Sequence, residues 1–198
     1  MNIIDVRHSI PHSNYSRKVT KKIGIAYHIT DDNKKYQCLR WFQNPIAKVS
    51  AHYIVEPDGV THYCVDTSFK AYHAGVVKNP TAQIIKDRIG INPNEFLVGI
   101  EVVSNGNDLT PEQYVELYDL TEHITEKHKI ILNRYHLIGH NEINSRDKYF
   151  CPIKAYHPND IIRTIQLRRQ HEDEISKKES SISSLRKRLK RFIESLRS

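Results

Sequence analysis

Phe96–Val103 reads FLVGIEVV, apolar throughout except at Glu101. A run of this kind suits a strand buried on both faces at the centre of a sheet, because a strand with one wet face alternates apolar and polar residues. An ionised carboxylate left there without a partner carries a large desolvation cost. Glu101 is therefore paired, protonated or facing a cleft, and the sequence leaves a structural ion pair and a cleft carboxylate both open.

Upstream, Ile23–Thr30, IGIAYHIT, is a second apolar run rich in β-branched residues that meets the turn formers Asp31, Asp32 and Asn33. His28 lies near its C-terminal end, as a core histidine or as a functional group emerging at a sheet edge. Pro57-Asp58-Gly59 separates two further β-rich runs, His52–Glu56 and Val60–Val65, and predicts a hairpin. Lys70–Gly75, KAYHAG, reads as a loop carrying His73. Pro80–Arg88 predicts a short helix capped by Asn79. Thr110 to about His128 predicts the longest globular helix, with Thr110 as cap, Pro111 first, Gln113 closing a capping box, and Leu117, Leu120, Thr121 and Ile124 facing the core. Residues 1–20 read as an irregular arm, and a last helix is expected to start near Pro158–Asp160.

Downstream, His136–Pro152 reads HLIGHNEINSRDKYFCP. An apolar run ends at Gly139, and the polar loop beyond it carries His140 and Cys151. Imidazole nitrogen and thiolate sulfur suit zinc, and a catalytic zinc site takes three protein ligands with one position open. His28, His140 and Cys151 form that candidate set. The alternative is a buried structural cysteine and unrelated histidines.

The length suits one domain with an appendage. No apolar run is long enough for a membrane span, and MNIIDVRHSIPHSN lacks a secretory pattern, so the expectation is a protein left in the cytosol until released. Cys38, Cys64 and Cys151 are an odd set that fits a reducing compartment. The formal charge of +7 is uneven: residues 166–198 hold ten Lys or Arg against five Asp or Glu, which places +5 there. The nearly balanced remainder argues against a nucleic-acid-binding core. In that tail Ile175, Ile182, Leu185, Leu189, Phe192 and Leu196 follow a heptad spacing. A short coiled coil, a helix folded back on the domain and a basic amphipathic helix for an anionic surface are the competing readings, beside a merely solvated helix.

Together IAYHIT around His28, SAHYIVEPDG from Ser50, KAYHAG from Lys70, VGIEVV around Glu101, IGHNEI around His140, and Cys151-Pro152 resemble the type 2 N-acetylmuramoyl-L-alanine amidases, a zinc amidase family that includes phage endolysins and peptidoglycan recognition proteins. The resemblance spans roughly residues 20–165. It implies an α/β fold, a central mixed β-sheet flanked by helices, as a catalytic domain over 1–165; the charge and heptad spacing of 166–198 add a basic amphipathic C-terminal helix. It implies a Zn²⁺ cofactor, peptidoglycan as partner, and cleavage of the amide between the lactyl group of N-acetylmuramic acid and L-alanine, most in the manner of a phage endolysin that lyses cells. Glu101 matches the family's general acid/base.

The family's lysine two residues before the last ligand is displaced here to Lys148, with one residue extra before Cys151. Lys148 is therefore the expected oxyanion cation, with Arg146 as substitute. Asp147 is a less favoured third ligand than Cys151, since Pro152 follows Cys151 in the family manner. Tyr72 replaces the family's tryptophan in the cleft, and His52 and His73 are carried over as cleft residues. Two rivals are a peptidoglycan-binding module without catalysis and a thiol peptidase using Cys151 and His140; the latter usually places its cysteine at a helix N-terminus.

Overall fold

The strands are ordered so that the parallel, doubly buried ones lie together. The computed structural model describes the backbone through residue 195 and side chains through residue 189; Leu196 of the heptad stripe, and the side chain of Phe192, lie outside the described residues. The strands are β1 (Asn2–Asp5), β2 (Tyr15–Ser16), β3 (Gly24–Ile29), β4 (Tyr53–Val55), β5 (Val60–Tyr63), β6 (Lys70–Ala71), β7 (Leu97–Val102) and β8 (Leu137–Gly139). The helices are α1 (Gln37–Gln43), α2 (Gln83–Lys86), α3 (Pro111–His128) and α4 (Pro158–Ser195). Six strands form a mixed sheet in the order β1-β5-β4-β7-β3-β8, in which only the β4–β5 hairpin is antiparallel. A separate pair joins β2 to β6.

The hairpin forms where Pro57-Asp58-Gly59 predicts it. Gly59 adopts a φ of 75°, and Glu56 N–H donates to the Val60 carbonyl. The predicted capping box also forms: Thr110 Oγ1 accepts from Gln113 N–H, and Gln113 Oε1 accepts from Thr110 N–H. Leu117, Leu120, Thr121 and Ile124 are all fully buried on one face of the sheet, where Tyr27 bonds Thr121 through its hydroxyl. Complete burial of each aliphatic side chain contributes about 1.5–3 kcal/mol. On the other face, α1 contributes Leu39 and Phe42 to a cluster with Ile54 and Val103, and α2 contributes Ile84 and Ile85 to a cluster with Ala26, Leu97 and Ile138.

Two expectations change. The N-terminal arm is partly ordered as β1, which pairs parallel to β5 from Asn2↔Val60 to Asp5↔Tyr63. All four of its residues are exposed, so an edge strand leaves no alternation to read. The helix expected from Pro80 begins only at Gln83, because the amides of Thr81 and Ala82 are drawn to the Glu142 carbonyl instead. Tyr36–Phe42 folds mostly as helix, with Tyr36 at φ 63° ahead of it.

The chain divides into two units, Met1–Ile162 and Arg163–Ser198. The second consists of the continuation of α4, which is helical to Ser195. Among the described residues no helix is long and apolar enough to cross a membrane.

Candidate active site

Three neighbouring parallel strands deliver the site. In the register of β3 and β7, His28 stands beside Glu101, so the two side chains leave the same face of the sheet near the C-terminal ends of their strands. β8 runs parallel on the other side of β3 and ends at Gly139, which places His140 at the next residue. The crevice outside the carboxyl ends of parallel strands is where open α/β sheets place their ligands. Cys151 arrives from the following loop: Ile29 N–H donates to its Sγ at 3.3 Å, and its carbonyl accepts from Asn141 N–H at 2.7 Å.

His28, His140 and Cys151 each turn one donor atom inward, and these atoms lie within 4.8 Å of one another. The two Nδ1 atoms are 2.9 Å apart. Each outer nitrogen is engaged elsewhere: His28 Nε2 meets His73 Nδ1 at 3.1 Å, and His140 Nε2 donates to the Ala74 carbonyl at 3.2 Å. Anchoring the outer nitrogen fixes which edge of the ring faces the cluster, as is usual for metal-ligating histidines. Burial, reinforced by the charge of Lys148, holds His140 down to about 4, and burial with its neighbouring imidazoles holds His28 well below the usual range. Both rings are thus neutral at pH 7, the form that ligates a metal. Two nitrogens and a sulfur, with lone pairs converging, fit zinc.

Glu101 is partly buried, and its Oε2 is shielded from solvent with no hydrogen-bond partner. Burial raises its pKa to about 8, opposed by the charge of Lys148. Among the described residues no ion pair forms at Glu101, and its carboxylate lines the cleft. The Cys151 thiol is pushed up to about 12, chiefly by burial and then by the charge of Glu101.

The cleft over this cluster has a volume of about 940 Å³, and its lining includes Tyr72, His73, Glu101, His140, Lys148 and Cys151. The extra residue before Cys151 is absorbed in a tight turn: Cys151 N–H donates to the Lys148 carbonyl at 2.9 Å, and Tyr149 and Phe150, each 55% exposed, stand at the rim of the cleft. Lys148 consequently lines the cleft, whereas Arg146 is exposed outside its lining. Asp147 is drawn off to Lys78, 2.7 Å away.

His52 does not line the cleft. It is fully buried, with Nδ1 accepting from Gly99 N–H and Nε2 donating to the Phe69 carbonyl, so both nitrogens are spent on backbone. His73 lies behind His28 and touches the cleft at its edge. Its loop is held by residues that sequence reading did not single out: Asn94 Oδ1 accepts from the amides of His73 and Ala74, and the buried Lys22 ammonium donates to the Asn94 carbonyl. Nothing local in the sequence marks them, because their partners are backbone groups distant along the chain.

The sequence profile of the N-acetylmuramoyl-L-alanine amidase family, Amidase_2, matches residues 19–153. The chain belongs to this family. Its function is that of a peptidoglycan amidase, and the amidase profile runs from before β3 to just beyond Cys151. Among solved structures, a mutant of PlyL superposes on this amidase with a TM-score of 0.62 at 14% identity, covering 84% of this chain and 99% of that one. A mutant endolysin from Bacillus subtilis gives 0.58 at 22% identity over 78% and 91%. The N-acetylmuramoyl-L-alanine amidase LysC from Clostridium intestinale gives 0.54 at 19% over 83% and 96%. At these identities the likeness extends to the fold. No curated protein matches the amidase in sequence.

Proposed function

We propose that this amidase is zinc-dependent, cuts the amide between the lactyl group of N-acetylmuramic acid and L-alanine, and serves in lysis of a bacterial cell wall. The observation that carries the reading is the convergence of one ring nitrogen each of His28 and His140 with Cys151 Sγ within 4.8 Å, beside a carboxylate with a buried, unpartnered oxygen. Zinc bound by these three residues supplies a Lewis acid for the scissile carbonyl and lowers the pKa of water toward about 7.

The remaining chemistry belongs to the chain. Glu101 takes the proton of the attacking water and passes it to the leaving amine of L-alanine; a pKa near neutrality suits a group that must act as base and then as acid. Lys148 faces the oxyanion that develops on the lactyl carbonyl. His73 keeps the ring of His28 aimed at the cluster, and Tyr72 offers an aromatic surface at the cleft for glycan or peptide.

The thiol-peptidase alternative asks Cys151 to ionise on its own near neutral pH, which a pKa pushed up to about 12 opposes. The binding-module alternative has no use for a complete donor set with a carboxylate beside it. Digestion of purified peptidoglycan followed by mass spectrometry of the fragments tests the bond: free N-acetylmuramic acid lactyl carboxylates and peptides beginning with L-alanine are expected. Peptides cut between amino acids would contradict the assignment.

A further inference from the structure

Every residue from 171 to 189 is exposed, although all lie in the single helix α4. A helix with no covered face depends on local propensity alone, and Ser180, Ser181, Ser183 and Ser184 are weak helix formers. Along this segment Ile175, Ile182, Leu185 and Leu189 are 44%, 48%, 61% and 58% exposed. They fall at heptad positions a, a, d and a, on one stripe of the helix. A stripe at this spacing is the surface by which helices pack in coiled coils.

We propose that the segment pairs with the same segment of a second copy of the chain, as a short antiparallel coiled coil. Charge selects both the partner and the direction. Residues 172–179 carry four acidic against two basic side chains, whereas residues 186–191 carry five basic and no acidic ones. A parallel pair sets the basic ends side by side, brings Lys178 at position d against its own copy, and places Glu174 at g opposite Glu179 at e. An antiparallel pair sets each acidic half beside a basic half. It also puts position g along g and e along e, so Glu179 of each copy lies across from Arg186 of the other.

In that arrangement Ile182 of one copy packs on Leu185 of the other at the centre. Lys178 lies near Leu189, where its aliphatic stem covers apolar surface and its ammonium reaches water. The contact is self-complementary about a two-fold axis, so each pair occurs twice and the assembly closes as a dimer. An anionic lipid surface is the poorer partner, since Glu174 and Glu179 border the apolar stripe where such a surface favours Lys or Arg.

Light scattering and sedimentation of the full chain over a concentration series at low salt test this, with and without vesicles of anionic phospholipid. The mass is expected to rise from one chain to two without vesicles, and Leu185→Glu is expected to remain at one chain while keeping the wild-type melting temperature of the amidase unit. Glu179→Arg should weaken the dimer about tenfold and the added Arg186→Glu should restore it. A wild-type chain that stays single at every concentration, or that associates only with vesicles, overturns the proposal. So does a Glu179→Arg dimer tighter than wild type, the outcome a parallel pair requires.

Discussion

The imidazole of His73 lies against the backbone of Gly99, so near that a Cβ added to the glycine would stand 2.4 Å from the ring's Cγ. The ring cannot retreat without leaving His28, whose Nε2 is 3.1 Å from its Nδ1. Gly99→Ala is therefore expected to cost about 1–3 kcal/mol of stability from overpacking, seen as a lower melting temperature. It should also loosen zinc. His73→Phe, which fills the same space without the nitrogen, is expected to weaken zinc binding about 10–100-fold in chelator competition. Unaltered affinity in His73→Phe would mean that packing alone positions His28.

Glu101 separates chemistry from metal binding. Glu101→Gln keeps the shape and removes the base, so kcat/KM is expected to fall by about 10²–10⁴ while bound zinc and the melting temperature hold. Loss of zinc together with activity in this variant would make Glu101 a ligand rather than a proton carrier.

Lys148 and Arg146 are two residues apart and differ in where they point. Lys148 lines the cleft and Arg146 does not. Lys148→Ala is expected to lower kcat by about 10²–10³, the usual loss for one oxyanion donor, and Arg146→Ala to leave it nearly unchanged. Steady-state kinetics on a soluble muropeptide distinguishes them, and the reverse ranking would move the oxyanion role to Arg146.

Lys22 gives a pH dependence away from the cleft. Burial pulls its pKa down from 10.5 to about 7, with Glu95 opposing. Between those two values the unfolded chain holds a proton on Lys22 that the folded chain does not, so stability rises with pH across this window by up to about 1.4 kcal/mol per unit. Below pH 7 both states are protonated and the penalty is constant. Denaturant unfolding from pH 8 to 10 should show a shallower slope in Lys22→Met than in wild type; equal slopes would mean that the buried lysine stays charged.

Much of the site was legible because its signals are local. His28 and Glu101 break apolar strand patterns at the ends of their runs, and Cys151 is followed by the proline that marks the last ligand of the family. The capping box at Thr110 and Gln113 and the Pro57-Asp58-Gly59 turn were legible for the same reason, since each is satisfied within a few residues. Where a distant backbone group decides the outcome, local reading fails. The start of α2 is set by the Glu142 carbonyl, β1 by its pairing with β5, and the division of labour between His52 and His73 by the path of the Gly99 backbone. His52 and His73 look alike in sequence, yet one bonds only backbone and the other braces His28.

The central claim is that one zinc ion is held jointly by His28, His140 and Cys151. Zinc content per chain, measured by elemental analysis after exhaustive dialysis, tests it most directly. Wild type is expected to retain one zinc per chain, and His28→Ala, His140→Ala and Cys151→Ala each to retain almost none while remaining folded. Zinc retained at full stoichiometry in any one of the three folded variants, or none in the wild type, would contradict the account.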